Sequence, residues 1–420
     1  MIRVSANQEA EQEKGRWRWR AARSTTTIYR RFILETSQAL FSLLFDFGGL
    51  LAGGILAYNL GIFESLPWAL VIYPGILSIR GAIGGLFSGR LSTAMHLGTI
   101  KPRIMGNTSE AYTLLNTVNA LTLMSALFMG SIGSIICVVA TGTPLTTFPL
   151  ILSVVVCSMG LSILIISPMT FWISTVAYKR GLDPDVILYP IISTVADIAI
   201  TFLYIGVLQT ILKLGDMSWY FLNSINLIFI FTILWTIRKI YRSKEFQSTF
   251  KEFMITLLFV SVIVNVTGTA LSSIIDVIGR RPEVFMIYPA LIDTVGDIGS
   301  IIGSTATTKM ALGTMLTKIS AILDHSLEIV SAWVASVIMF ILYALFSSLI
   351  YGGEGLLRLL LEVLTMQIIV VPLIILISFG TAIVTRKRGL DPDNFIIPVE
   401  TSLSDGLTTI GLLITLTIFV

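Results

Sequence analysis

Residues 179–200 read KRGLDPDVILYPIISTVADIAI, and residues 387–408 read KRGLDPDNFIIPVETSLSDGLT. The two stretches share an opening heptapeptide, Lys179 to Asp185 and Lys387 to Asp393, then a proline (Pro190, Pro398) and an aspartate (Asp197, Asp405), at a constant offset of 208. A second register holds upstream. Tyr73-Pro74, Gly81, Ile83, Thr93, Met95 and Leu97-Gly98-Thr99 return as Tyr288-Pro289, Gly296, Ile298, Thr308, Met310 and Leu312-Gly313-Thr314, at an offset of 215. Chance does not keep two such registers, so the chain is an internal duplication and its fold is expected to be two like halves.

Outward from these copies the sequence is strongly apolar. Of 420 residues, 55% are hydrophobic and only 13% charged, with a mean hydropathy of +0.88. A soluble domain carries about 25% charged residues, so a soluble multidomain enzyme is excluded. Apolar runs fall near 33–60, 66–97, 109–139, 147–177, 186–212, 217–237, 253–276, 284–308, 325–350, 355–384 and 394–420. Each is long enough to cross a hydrocarbon core of about 30 Å as a helix. The expected fold is an all-α integral membrane protein of about 11 transmembrane helices, arranged as two five-helix repeats joined by a linker helix. Because five is odd, the linker restores the first orientation and the repeats are expected to be parallel, with a path for solute along their pseudo-two-fold axis. The expected division is a basic tail over 1–32, a first repeat over 33–214, a linker helix with a basic loop over 215–250, and a second repeat over 251–420. The long second and fourth spans are expected to kink or break at their Gly and Pro residues.

The formal net charge of +3 is gathered in short clusters between apolar runs, which speaks to orientation in a lipid bilayer and implies no nucleic-acid partner. With the N-terminus inside, Lys101, Arg103, Lys179, Arg180, the cluster from Arg238 to Lys251, Lys309, Lys318 and Arg386 to Arg388 all fall on the cytoplasmic side. Only Lys213, Arg280, Arg281 and Arg358 fall opposite. This asymmetry predicts a cytoplasmic N-terminus and an external C-terminus, and the arginine-rich stretch before the first span reads as an uncleaved cytoplasmic tail. Cys137 and Cys157 both lie inside apolar runs, against a disulfide framework.

Carboxylates inside such spans cost roughly 3 kcal/mol or more, which makes each a site hypothesis. Asp197 and Asp405 occupy the same place in the two repeats, one turn beyond Ser193-Thr194 and Thr401-Ser402, and are expected to face each other across the axis. Carboxylates, hydroxyls and carbonyls loosened after Pro190 and Pro398 form an all-oxygen environment, suited to a hard divalent cation held directly or through its waters. The bland alternative is that each aspartate bonds hydroxyls of a neighbouring helix. Asp293 and Asp297 share one face at i and i+4, where the first repeat has Ser78 and Ala82. They either add charge to a cation path or coordinate a second ion, or they pair with Arg80 or Arg90. Asp46 and Glu400 are secondary candidates, as partners or ligands. The two Gly-Leu-Asp-Pro-Asp segments read as helix C-cap, turn and acidic first turn. His96 and His325 have no metal-spaced partner and receive no role. No phosphate-binding loop or nucleophile elbow is present, so transport driven by ATP hydrolysis in this chain, or enzymatic turnover, is not expected.

The paired segments Asp391-Pro392-Asp393-Asn394, Pro398, Ser402 and Asp405, with their first copy at Asp183 to Asp197, resemble the signature of the eukaryotic solute-carrier relatives of MgtE. Tyr73-Pro74, Arg80-Gly81 and Arg90-Leu91-Ser92-Thr93 are similar to a second stretch of the same family. The resemblance implies transport of Mg2+ or a related divalent cation, no resident cofactor, and a central cation site lined by Asp197 and Asp405. It also implies a fused version of the dimer that bacterial MgtE builds from a five-helix domain, which removes the need for a dimer and leaves the oligomeric state open, with a monomeric pseudo-dimer as one outcome; the expected location is the plasma membrane. Two departures stand out. Ala82 replaces the usual asparagine, with Asp297 as its counterpart, and no room precedes the first span for the cytoplasmic sensor domains of MgtE. Channel and cation-coupled exchanger, with Na+ or H+, both remain open, as do a membrane-embedded metal-dependent enzyme and a non-transporting sensor. Oxygen ligands admit Mg2+, Mn2+, Co2+ and Ca2+ alike.

Overall fold

Eleven long helices carry the chain back and forth: α1 Tyr29–Tyr58, α2 Pro67–His96, α3 Ser109–Thr141, α4 Phe148–Lys179, α5 Pro184–Leu214, α6 Met217–Ile240, α7 Lys244–Ile278, α8 Pro282–Ala311, α9 Ser326–Ile350, α10 Leu356–Arg388 and α11 Pro392–Ile418. The computed structural model describes residues 29–180, 184–278, 281–311, 315–353, 355–388 and 392–419, and no strand occurs among them. The cores of both Gly-Leu-Asp-Pro-Asp segments, and the side chains of Glu400 and His96, lie outside the described residues. Among the described residues ten helices are long and apolar enough to span a bilayer; in α7, at 35 residues, the described apolar stretch runs from Val260 to Ile274. A helix of that length extends about 50 Å, ample for a crossing.

The helix expected to break is not the one that does. α2 and α4 stay continuous although Pro74 and Pro168 lie inside them. In α1, by contrast, residues Leu44–Gly48 tighten to a 3-10 turn, which turns Asp46 into the interior, where it is 2% exposed. A short helix, Leu60–Ser65, then leads to Pro67, whose missing N–H is harmless at the first position of α2.

Burial grades the helices. In its most apolar window α2 is 94% buried and α8 72%, whereas α6 is only 22% buried and rests on the outer sides of α3 and α4. α2 and α8 are therefore the equivalent central helices of the two repeats, and α6 is the peripheral linker. The first helix of each repeat crosses to the other: α1 packs on α8, and α7 packs on α2. Close backbone approach makes this exchange possible. A Cβ at Gly53 would run into the Met286 carbonyl, and a Cβ at Gly268 into the Val71 carbonyl. Both pairs are related by the same offset of 215, so the duplication extends to the first helices, beyond the copied motifs. Tyr73 and Thr201 hydroxyls lie 2.9 Å apart, and their repeat equivalents Tyr288 and Thr409 2.8 Å apart, which places α5 on α2 as α11 lies on α8.

Alanine at Gly53 or Gly268 is expected to destabilise the purified protein by about 1–3 kcal/mol, since the added carbon meets backbone that cannot rotate away. Gly54 has open space at its Cβ. Gly54→Ala should leave the thermal unfolding midpoint unchanged, and equal midpoints for all three variants would refute the close-packing account.

Two ion-pair clusters clamp the ends of α8. At one, Arg281 grips Glu362 of α10 through Nη1 at 2.7 Å and Nη2 at 3.0 Å, and Glu283 through Nε at 2.7 Å. At the other, Lys309 bonds Glu328 at 2.6 Å and the His325 ring at 3.0 Å, while Arg31 of α1 also reaches Glu328 at 2.8 Å. His325 is fully buried, its other ring nitrogen 2.9 Å from the Thr305 hydroxyl, which accounts for it as a satisfied histidine.

Candidate cation site

Four helices, two from each repeat, line a partly open cavity of about 20 Å³ between the halves. α2 supplies Leu77, Ser78 and Gly81; α5 supplies Ser193 and Asp197; α8 supplies Asp293, Gly296 and Asp297; α11 supplies Thr401, Ser404 and Asp405. Pro74 and Pro289 lie one to two turns before the cavity-facing residues of α2 and α8. Each removes a backbone donor and crowds the preceding turn, a local reason for helices to part there.

Of the residues expected at the site, Asp197, Asp405, Asp293, Asp297, Ser193 and Thr401 all meet on this cavity. Thr194 and Ser402 do not line it. The Thr194 hydroxyl donates to the Phe45 carbonyl at 2.8 Å and so holds the 3-10 turn of α1, and Ser402 is buried away from the cavity wall. The spacing to Asp197 or Asp405 is i−3 for this pair and i−4 for Ser193 and Thr401, so both pairs lie near the aspartate's face; which side the cavity occupies is decided by neighbouring helices. Ser404, adjacent to Asp405, takes the place that spacing gave to Ser402.

Arg80, one of the two cations weighed as a partner for Asp293 and Asp297, is engaged elsewhere. Its Nη2 donates to Asp197 Oδ1 at 3.1 Å and to the Ser193 carbonyl at 3.3 Å. Asp197 and Asp293 line the same cavity from opposite repeats. Asp46 sits behind the cavity wall, where its Oδ2 accepts from the Thr294 hydroxyl at 2.9 Å, itself 2.8 Å from the Tyr343 hydroxyl. The exchanged α1 thus delivers a carboxylate to α8.

The charge is lopsided. Around α8 stand Asp46, Asp293 and Asp297; their repeat equivalents around α2 are Ser261, Ser78 and Ala82, and Arg80 stands where α8 has Val295. Among the described residues no three carboxyl, imidazole or thiol groups converge into a ready-made ligand shell. The carboxylates are spread around the cavity, and Oδ2 of Asp293 and of Asp405 accept no hydrogen bond. A water needs about 10–15 Å³ of such space, so this conformation has room for one or two water-sized occupants and not for an ion carrying a full octahedral shell of about six waters.

The profile of the MgtE family, described as divalent cation transporters, matches residues 73–207 and 288–415, well over half of the chain and once in each repeat. The chain belongs to the MgtE divalent cation transporter family. Every residue lining the cavity falls within the matched segments, whereas Asp46 and the exchanged helices α1 and α7 lie outside them. Comparisons with curated proteins and with solved structures give no match. MgtE proteins are transporters rather than enzymes, and the multi-pass helical fold with a polar, acid-lined cavity at its centre is in keeping with that family.

Proposed function

We propose that this MgtE-family chain carries Mg2+ across the plasma membrane as a single-chain pseudo-dimer, through the cavity between its repeats. Asp197 and Asp405 are the principal carboxylates on the path, Ser193 and Thr401 supply hydroxyl oxygens, and Asp293 and Asp297 add negative charge. The observation that carries this reading is the cavity itself: four carboxylates from both repeats line a buried space, and two of their oxygens accept no hydrogen bond. Such groups are costly in a membrane interior and are kept where a cation passes.

With the N-terminus in the cytoplasm, a cell-negative potential favours inward movement of a divalent ion by about 4.6 kcal/mol per 100 mV, twice the value for a single charge. Uptake then needs no fuel. The cavity holds only a largely stripped ion in this conformation, so entry of Mg2+, which dehydrates reluctantly, requires the α2–α5 and α8–α11 pairs to separate.

The test is Mg2+ entry into dye-loaded liposomes under an imposed negative potential, with Na+ and pH varied. Entry driven by voltage alone supports a channel-like path. Entry only against an opposing Na+ or H+ gradient makes the same path that of an exchanger, and no divalent flux under any gradient refutes the proposal.

A further inference from the structure

We propose that Arg80 is a tethered competitor for the transported cation: its guanidinium holds Asp197 when no divalent ion is there and yields that carboxylate when one arrives. The inference rests on the transport reading above and assigns a role to a residue that reading leaves unused.

A buried arginine that serves only as a brace satisfies its whole fork. Even Arg281, which keeps some solvent contact, does so, with Nε, Nη1 and Nη2 all on carboxylate oxygens at 2.7–3.0 Å. Arg80 does not. It is 4% exposed, yet only Nη2 is engaged, singly, on Asp197 and the Ser193 carbonyl, while Nε and Nη1 are buried without a partner. Of five N–H donors in a fixed fork, most are left idle, with uncommitted Asp293 and Asp405 oxygens on the neighbouring cavity wall. A guanidinium held this loosely is easily moved. Gly84, one turn further along α2, presents no side chain beside Nη1, which would lie 3.6 Å from a Cβ there.

The repeat makes the point sharper. Position 295 of the second copy is valine, so duplication does not require a cation here, and a single positive charge sits on the carboxylate expected to bind the cargo. A permeation site must bind firmly enough to admit an ion and weakly enough to release it. One positive charge a few ångströms from the bound ion weakens binding strongly at an effective dielectric near 20, and its return to Asp197 assists release.

The experiment measures thermal unfolding of the full chain in detergent across a Mg2+ titration, with liposome flux in parallel, for wild type, Arg80→Val, Arg80→Gln and Arg80→Lys. Arg80→Val copies the second repeat, and Arg80→Gln covers the case in which the valine variant does not fold. The expected result is a lower melting temperature without Mg2+, a half-saturating Mg2+ concentration reduced about tenfold or more, and slower flux at saturating Mg2+. Arg80→Lys keeps the charge and should stay close to wild type in half-saturation. An unmoved or raised half-saturation in the valine and glutamine variants, with wild-type flux intact, overturns the Arg80 inference alone. Wild-type protein that is neither stabilised by Mg2+ nor transports it overturns the transport reading and this inference with it.

Discussion

Replacing Asp197 and Asp405 together by alanine is expected to lower divalent-cation flux in liposomes at least about 100-fold, equivalent to roughly 2.7 kcal/mol of lost stabilisation along the path. The expectation follows from where the two side chains stand. Each lines the cavity from its own repeat and is nearly fully buried, and a water in the vacated space would bring the ion no compensating negative charge. The single variants should differ, although the repeat makes the positions equivalent. Asp405→Ala removes a carboxylate whose Oδ2 accepts nothing, and the protein should fold normally. Asp197→Ala strands the Arg80 guanidinium in the interior, an uncompensated buried charge, and should cost folding stability of about 3–5 kcal/mol besides transport. Flux and the melting temperature of each single variant, measured side by side, decide the matter. Retained flux in the double variant would show that the ion does not pass these carboxylates, and equal melting temperatures for the two singles would contradict the ion pair with Arg80.

The second large effect belongs to stability alone. Glu362 of α10 has no exposed side-chain surface and accepts from Arg281 twice and from Arg358 at 3.0 Å. Glu362→Leu should destabilise the protein by about 3 kcal/mol, the lower end of the range for breaking a buried pair, because Arg281 keeps Glu283 and some solvent contact. Adding Arg281→Met should recover most of the loss, since replacing both partners of a buried pair with apolar groups is often neutral. Thermal unfolding of the single and double variants checks this. A single variant as stable as wild type would mean that the clamp between α8 and α10 contributes nothing. Divalent flux per folded molecule should be unchanged throughout, because the cluster lies apart from the cavity-lining residues.

These predictions draw on different levels of the molecule. The duplication, the helical membrane class and the acid positions were all legible along the chain, since each depends on local composition or on residues that recur at a fixed offset. Asp197 and Asp405 stood out for the same reason: a carboxylate is conspicuous in a run of Ile, Val and Leu, and more so when the repeat copies it. Asp46 was conspicuous too, yet its place beside Thr294 of α8 depends on α1 crossing to the opposite repeat, which no short-range pattern encodes. Gly53 and Gly268 carried the matching signal, but the offset linking them becomes meaningful only when each is seen against its carbonyl, Met286 or Val71.

The sequence by itself determined that the chain is a multi-pass helical membrane protein, that it is built as two like halves, and that aspartates stand inside its apolar spans. Hydropathy and repetition are properties of the chain read in one dimension, and burial in lipid leaves few alternatives to the helix. Only the tertiary structure decided which hidden groups meet. The choice of Ser404 over Ser402, the pairing of Arg80 with Asp197 over Asp293, and the delivery of Asp46 to α8 turn on helix rotation and on which helix lies alongside. Those are set by close packing between segments hundreds of residues apart, where one glycine facing one carbonyl fixes the approach.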